Sequence, residues 1–222
     1  MARLFDDRAD AGRQLAAALR AASSGWAPLP TVVLGLPRGG VPVARVVADA
    51  IGAPLDVLAV RKLGAPRHPE FAVGAIGEDG VRFVDDDSVR LTGIDQSELA
   101  VVEAHERAEL ARRLSVYRHG RPPVSLSGVR AIVVDDGVAT GATAAVACRA
   151  ARLRGAAEVV LAVPVAPYDW VDRLKGEADA FVAVSTPRDF WAVGQWYRRF
   201  DQTGDDEVIR DLAPRAGDVE HS

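Results

Sequence analysis

Two adjacent acidic residues, Asp135 and Asp136, stand between an apolar segment and a run of small residues, Ala-Thr-Gly-Ala-Thr at 139–143. Such a run lets backbone N–H groups approach a phosphate closely, and the N-terminus of the helix predicted after it adds positive potential. Carboxylates beside the run would repel a phosphate, but they accept hydrogen bonds from hydroxyl groups and hold hard cations such as Mg²⁺. The segment therefore predicts a site for a sugar phosphate, with its hydroxyls and a cation on the acidic side.

A second candidate anion site follows the apolar segment 31–36. There Pro37 is followed by Arg38, Gly39 and Gly40. The planar fork of an arginine matches phosphate oxygens, and glycines leave backbone amides open to a ligand. Taken alone this turn is weak evidence for a site, and its significance depends on its order relative to the acidic pair.

A basic segment at residues 61–70 is interrupted by glycine and proline, which break regular structure and predict a mobile loop. Three of its side chains are candidates for contact with a charged substrate or for proton transfer. They are Lys62, Arg67 and His68.

Apolar strands and helical segments alternate along most of the chain. Asp6 or Asp7 is expected to cap a first helix that ends near Ala22. The predicted strands are 31–36, 55–60, 129–135, 159–163 and 180–184, and the later predicted helices are 41–51, 143–155 and 168–175. This alternation predicts an α/β fold with a doubly wound, mainly parallel sheet, which binds ligands at the carboxyl ends of its strands.

The stretch between residues 71 and 118 departs from this alternation. Short strands at 71–76 and 81–84 form a predicted hairpin, and a long helix follows Asp95, with Glu98 at capping-box spacing. We therefore expect one domain that carries this hairpin and helix as an insertion. It spans residues 1–222 and ends in a small C-terminal hood or tail, with the tail at about 214–222 expected to be frayed.

The acidic pair and the small-residue run resemble the signature with which type I phosphoribosyltransferases bind phosphoribosyl pyrophosphate (PRPP). The shared pattern is an apolar strand, two acids, two variable positions and a phosphate loop that contains Thr-Gly. Receiver domains also carry paired acids after a strand, but near the start of the domain, whereas several elements precede the pair here. The Arg-Gly-Gly turn stands after the first strand, where that family has its pyrophosphate loop.

This resemblance implies roles for the residues of both segments. It implies that Asp135 and Asp136 lie beside Mg²⁺ and the ribose hydroxyls, and that Arg38 acts with Gly39 and Gly40 on the pyrophosphate. The residues implied for the ribose and the 5′-phosphate are Asp135, Asp136, Gly137, Ala139, Thr140, Gly141, Ala142 and Thr143.

The resemblance also implies a reaction, namely displacement of pyrophosphate at ribose C1 by a nitrogenous acceptor such as a nucleobase. The loop at 61–70 would close over the reacting centre and exclude water. The residues implied for catalysis are Arg38, Lys62, His68 and Asp136. A homodimer is implied by the resemblance only.

The acceptor is less defined than PRPP. Family members that act on 6-oxopurines carry an aspartate where this chain has Ala139, so 6-oxopurine chemistry is in doubt, and the pattern looks more like adenine-type enzymes. Two regions compete as the hood that would cover the acceptor. One is the aromatic-rich segment 187–200, which could stack on a base or pack on the core, and the other is the hairpin at 71–84 with the helix after it.

Composition excludes several classes of protein. The net charge is −4 and arginines are interleaved with acids, so a nucleic-acid-binding surface has no support. The single cysteine, Cys148, rules out an internal disulfide and makes a cysteine-based zinc site implausible. The longest apolar runs are strand-sized, which predicts no membrane role and, with the lone cysteine, a cytoplasmic location.

Two hypotheses about function stay open at this point. The first is an active phosphoribosyltransferase of nucleobase salvage or a related pathway. The second is a regulatory protein that binds PRPP or a nucleotide in the same fold without turnover, because a fold and a pocket do not establish chemistry. The cationic segment at 61–70 favours the enzyme, since a sensor has little need of it.

Overall fold

The computed structural model describes residues 3–66 and 68–213. Its strands are, in chain order, β1 (Thr31–Gly35), β2 (Leu55–Val57), β3 (Val60–Ala65), β4 (His68–Gly77), β5 (Arg82–Val84), β6 (Arg130–Val134), β7 (Glu158–Val165) and β8 (Ala180–Ser185). Its helices are α1 (Arg8–Ala22), α2 (Gly40–Ile51), α3 (Asp86–Thr92), α4 (Gln96–Arg118), α5 (Ala142–Leu153), α6 (Trp170–Arg173) and α7 (Asp205–Leu212).

Five parallel strands form the central sheet in the order β2-β1-β6-β7-β8. β1 pairs in register with β6 from Thr31↔Arg130 to Gly35↔Val134, and β6 pairs with β7 in the same way. The predicted α/β fold with a mainly parallel sheet is therefore confirmed. The carboxyl ends of β1, β6 and β7 lie at one edge, where the residues that follow these strands can meet.

Both faces of this sheet are covered, because alternate residues of a strand point to opposite sides. On β6, Ala131 and Val133 pack on the side of α5, whereas Ile132 and Val134 pack on the side of α1 and α2. A parallel sheet buried on both faces needs apolar residues at nearly every strand position. This requirement explains why the strands of the central sheet are continuous apolar runs in the sequence.

The segment predicted as a loop at 61–70 is largely β-strand, which corrects that expectation. β3 pairs antiparallel with β4, from Val60↔Gly77 to Ala65↔His68, and β4 pairs antiparallel with β5. The pairing shifts register on both sides of Gly64, so the glycine marks an irregularity in a strand and does not end it. Mobility of the tip stays a prediction.

This three-stranded sheet also corrects the strand predicted at 55–60. β2 ends at Val57, and two buried residues, Leu58 and Ala59, carry the chain across to the second sheet. The small sheet packs on the long helix, where Leu63 and Ile76 share a buried cluster with residues of α4. The apolar run 55–60 thus forms one strand of the main sheet and begins a strand of the small sheet. Its composition gives no sign of this division.

The predicted hairpin and long helix are both present. Asp95 caps α4 through the backbone N–H of Glu98 at 2.9 Å, and Glu98 Oε2 accepts the N–H of Asp95 at 3.1 Å, which completes the capping box. Asp7 caps α1 by accepting the N–H of Asp10 at 2.9 Å. The capping signals in the sequence therefore marked both helix starts correctly.

Two helices were not predicted, and one is shorter than predicted. α3 follows the hairpin, and α7 packs Val208 and Leu212 against α2 and α4. The helix predicted at 168–175 is the single turn α6. The predicted tail, from about residue 214, lies outside the described residues, and the limits of the single expected domain stay a prediction.

Candidate functional site

Asp135 and Asp136 follow β6 at the carboxyl edge of the sheet. The backbone N–H of Asp136 donates to Oδ1 of Asp135 at 2.9 Å, which orients the first carboxylate. Burial and the neighbouring charge of Asp136 raise the pKa of Asp135 well above its usual value. Burial also raises the pKa of Asp136, although the Arg8 guanidinium opposes that shift. Two adjacent, partly buried carboxylates are costly unless cations or hydroxyl donors reach them, so this edge suits a ligand that supplies both.

The loop between β6 and α5 encloses an open cavity of about 210 Å³. Gly141 caps α5 with a positive φ of 88°, which side chains disfavour, and a Cβ there would lie only 2.9 Å from Leu174 Cδ2. Glycine suits this position because it tolerates the backbone angle and has no Cβ to clash. The first amides of a helix have no partner within it, which leaves them available to an anion. Of the residues expected at the ribose and 5′-phosphate, those that line the cavity are Asp135, Gly137, Ala139, Thr140, Gly141 and Thr143, whereas Asp136 and Ala142 do not.

The turn after β1 packs directly on the acidic pair. The N–H of Gly40 donates to the carbonyl oxygen of Leu36 at 2.9 Å, and the N–H of Leu36 donates to that of Val134, also at 2.9 Å. A Cβ on Gly40 would lie 2.6 Å from the Val134 oxygen, and one on Gly39 would lie 2.0 Å from Asp136 Oδ2. The structure therefore brings the two anion sites predicted from sequence side by side, with glycine required at the contact.

Arg38 precedes these glycines, and the peptide bond that joins Pro37 to Arg38 is cis. Its Nη1 lies 3.8 Å from Oδ1 of Asp205, in the first turn of α7. Asp205 also accepts a hydrogen bond from the hydroxyl of Tyr117 at 2.9 Å. An ion pair this long between partly exposed groups contributes little energy, so Arg38 can exchange it for a phosphate.

Arg8 contacts the acidic pair, and sequence analysis missed it. Its Nε and Nη2 donate to Oδ2 of Asp136 at 2.9 and 2.8 Å, and Nη1 donates to the carbonyl oxygen of Asp201 at 2.7 Å. The guanidinium lies 4.2 Å from the ring centroid of Phe200. Arg8 and Asp136 are 128 positions apart, so no local pattern signals the contact. Asp136 is therefore the member of the pair that protein groups hold, while Asp135 faces the cavity.

Tyr197, Phe200 and Asp201 support Asp136 and Arg8 from the C-terminal side. The hydroxyl of Tyr197 donates to the carbonyl oxygen of Asp136 at 2.6 Å, and burial raises the pKa of Tyr197, so the phenol remains a donor. Tyr197 also pairs with Phe5, with ring centroids 5.1 Å apart. Of the two roles considered for this aromatic segment, core packing applies to Tyr197 and Trp196, which are buried.

Lys62 and His68 lie on the small sheet, with exposed side chains. Among the described residues they are not part of the lining of the cavity at the phosphate loop. The structure thus places them on a different sheet from the acidic pair, and their catalytic roles stay predictions. Arg67 lies outside the described residues.

A second open cavity, of about 220 Å³, adjoins the phosphate loop, and Ala139 and Thr140 line both cavities. Aromatic residues line it from the loops that follow β7 and β8. They are Tyr168, Phe190 and Trp191. Trp191 is 88% exposed. Of the two regions considered for the hood, the C-terminal aromatic segment contributes to this cavity, whereas no described residue of the hairpin lines it.

Other candidate sites find no counterpart in the described part of the chain. Residues 3–66 and 68–213 contain no cluster of three or more His, Cys, Asp or Glu side chains suited to a metal ion. Nor does any helix within those ranges have the length and apolarity needed to cross a membrane. Cys148 is buried in α5, where burial raises its thiol pKa to about 12, as suits a core residue.

Comparisons with known proteins agree with this architecture. A family model described as phosphoribosyl transferase domain matches residues 5–196. A Mycobacterium tuberculosis protein that its name provisionally assigns as a phosphoribosyl transferase is 58% identical over 207 residues, which are 93% of this chain and 46% of that protein. The chain thus spans about half the length of the curated relatives it matches.

Two solved structures are similar over nearly the whole chain. The protein TT1426 from Thermus thermophilus is 45% identical, with a TM-score of 0.82, and the match covers 96% of this chain and 98% of that one. A hypothetical protein from Neisseria gonorrhoeae with bound ppGpp is 14% identical, with a TM-score of 0.52 and coverage of 95% and 96%. The second likeness concerns the fold alone.

Proposed function

Because the chain belongs to the phosphoribosyl transferase domain family, we propose that it transfers the 5-phosphoribosyl group of PRPP to a nitrogenous acceptor and releases pyrophosphate. The observation that carries the proposal is the packing of the Gly39–Gly40 turn on the acidic pair beside the phosphate loop. That arrangement offers a place for each part of PRPP. The 5′-phosphate fits the cavity at the loop, the ribose hydroxyls fit Asp135, and the pyrophosphate fits the turn with Arg38.

In the proposed reaction a nitrogen of the acceptor forms a bond to ribose C1. The bond from C1 to the pyrophosphate oxygen breaks, its electron pair leaves with pyrophosphate, and the proton released from the acceptor nitrogen passes to solvent. The role of the protein is to position both reactants and to stabilise charge, because the transition state has oxocarbenium character. Backbone amides of the phosphate loop hold the 5′-phosphate end of PRPP, and Arg38 meets the charge that grows on the leaving group.

We propose Mg²⁺ as the cofactor, with the acidic pair as the residues that would hold it: Asp135, which lines the cavity, directly, and Asp136, which is paired with Arg8, beside it. The donor set fits, because Mg²⁺ takes oxygen ligands and is commonly bound through one or two carboxylates together with substrate phosphates. A cation would also offset the burial of Asp135 and the neighbouring charge of Asp136, which together raise the pKa of Asp135. When bound, Mg²⁺ would act as a Lewis acid and stabilise the negative charge of the leaving pyrophosphate.

We place the acceptor in the second cavity, next to Ala139 and Thr140. This position adjoins the phosphate loop, and its exposed aromatic rings offer faces on which a planar base can stack. A nucleobase is the acceptor class we propose. We also propose a cytoplasmic location, supported by a lone buried cysteine, and a homodimer, supported by family resemblance.

Pyrophosphate release tests this function. Purified protein with PRPP and Mg²⁺ is offered a panel of nucleobases and related nitrogen heterocycles, and at least one should trigger release. Asp135→Asn should lower kcat/KM by about tenfold or more, because an amide binds cations and hydroxyls less well than a carboxylate. Asp87→Asn, at an exposed acid paired with Arg90, is the matched control and should leave kcat/KM unchanged.

The same assay separates the enzyme from a sensor with this fold. PRPP binding without release for any acceptor would contradict the transferase and favour the non-catalytic regulatory protein. Release that proceeds equally in the Asp135→Asn variant would contradict the assignment of the acidic pair to the reaction.

A further inference from the structure

The charges around the second cavity do not cancel. Its charged lining residues are Asp169, Arg173 and Arg188. Nε and Nη2 of Arg173 lie 2.9 and 2.7 Å from Oδ2 of Asp169, so these two residues neutralise each other. Arg188 lies in the loop after β8, and its positive charge is left unbalanced among the charged residues that line the cavity.

Arg188 is held without an acidic partner. Its guanidinium lies 5.0 Å from the centroid of the Tyr168 ring, in a cation–π contact. Within the part of the chain that the structure describes, Arg188 makes no hydrogen bond and no ion pair, although its neighbour Asp189 is an acid. The N–H groups of Arg188 are therefore available at a cavity that Tyr168, Phe190 and Trp191 also line.

A free guanidinium beside aromatic faces has a definite chemical preference. Its planar fork of donors matches a carboxylate, and the rings accept a flat heterocycle. A neutral base would fill the aromatic part of the cavity and leave Arg188 unused. A heterocycle with a carboxylate substituent would use both.

We infer that Arg188 selects an acceptor of a particular class, a planar nitrogen heterocycle that carries a carboxylate. The inference rests on the proposed function, because it identifies this cavity as the acceptor site. Arg188 then binds the carboxylate, Tyr168 and Trp191 contact the ring, and Ala139 and Thr140 connect the site to the ribose phosphate.

The binding of nucleotides tests the proposed role of Arg188 without requiring turnover. Calorimetry compares two pairs of nucleotides. The first pair is orotidine 5′-monophosphate and uridine 5′-monophosphate, and the second is nicotinate mononucleotide and nicotinamide mononucleotide. The members of each pair share the ribose phosphate, and only the first member carries a carboxylate on the ring. Wild type should bind at least one carboxylate member about tenfold or more tightly than its neutral partner. Arg188→Gln should abolish that preference, whereas Arg188→Lys should retain part of it because the charge remains. Arg90→Gln, at an exposed arginine paired with Asp87 in α3, is the matched control.

Ribose 5-phosphate is the reference ligand that separates two kinds of failure. Its affinity should be the same in wild type and Arg188→Gln. Binding of ribose 5-phosphate with no preference in either pair would overturn the carboxylate assignment alone. A loss of affinity for every ligand in Arg188→Gln, ribose 5-phosphate included, would overturn it in favour of a phosphate contact. Failure of wild type to bind ribose 5-phosphate would overturn the proposed function as well.

Discussion

Replacing Arg118 with methionine should lower the free energy of unfolding by about 3–5 kcal/mol. Arg118 ends α4, and its Nε and Nη2 donate to the two oxygens of Asp56, each at 2.9 Å. The same guanidinium also bonds Glu78, and all three side chains are buried. Removing the cation leaves two buried carboxylates without their partner, which costs far more than the loss of one surface ion pair. Urea unfolding followed by circular dichroism measures the change.

The position of this network explains why the effect should be global. Asp56 lies in β2 of the main sheet, Glu78 follows β4 of the small sheet, and Arg118 joins both to the long helix. Arg112→Met, at an exposed position on the same helix, is the matched control and should change the free energy by less than about 1 kcal/mol. Equal losses in the two variants would contradict a special contribution from the buried network.

Gly40→Ala should weaken PRPP binding by about tenfold or more and lower the free energy of unfolding by about 1–3 kcal/mol. A Cβ at this position would lie 2.6 Å from the carbonyl oxygen of Val134 and 2.8 Å from Cα of Asp135. Both are backbone atoms at the end of β6, which its neighbours in the sheet hold in place. The turn that carries residue 40 therefore has to move away from them. Movement of the turn separates the proposed pyrophosphate site from the acidic pair. Calorimetry with PRPP and urea unfolding measure the two effects.

Gly25→Ala is the matched control for this substitution, because a Cβ at Gly25 would meet nothing within 4 Å. It should change neither quantity beyond about 0.5 kcal/mol. Unchanged PRPP affinity in Gly40→Ala, together with a stability loss, would show that the turn supports the fold and not the ligand.

The parts of the site that are local in sequence were predictable. Asp135, Asp136 and the small residues up to Thr143 lie in one strand–loop–helix segment, so their proximity follows from chain connectivity. The carboxyl-edge location of the Arg38 turn followed from the parallel sheet, because apolar strands of that kind place their following turns at one edge.

The parts that depend on distant contacts were not predictable. In the sequence, Arg8 has the pattern of a surface residue in the first turn of a capped helix, and its role depends on Asp136 and Phe200 far along the chain. Tyr197 likewise reaches Asp136 through tertiary packing.

Two missed elements did leave signals. In β3 the apolar residues Leu63 and Ala65, both buried, alternate with less buried neighbours, but the basic residues, the glycine and the prolines of 61–70 suggested a loop. The helix α7 has acids in its first turn and buried Val208 and Leu212 at helical spacing, which is a short amphipathic pattern. In both cases the element is brief, and tertiary packing decides whether so short a pattern forms.

The central claim is that the acidic pair, the phosphate loop and the glycine turn together bind PRPP with Mg²⁺. A calorimetric titration of PRPP into the purified protein, with and without Mg²⁺, tests it most directly, and Asp135→Asn is run beside wild type. The account predicts saturable binding that strengthens with Mg²⁺ and is lost or strongly weakened in the variant. Absence of binding by wild type in both conditions, or equal binding by the variant, would contradict it.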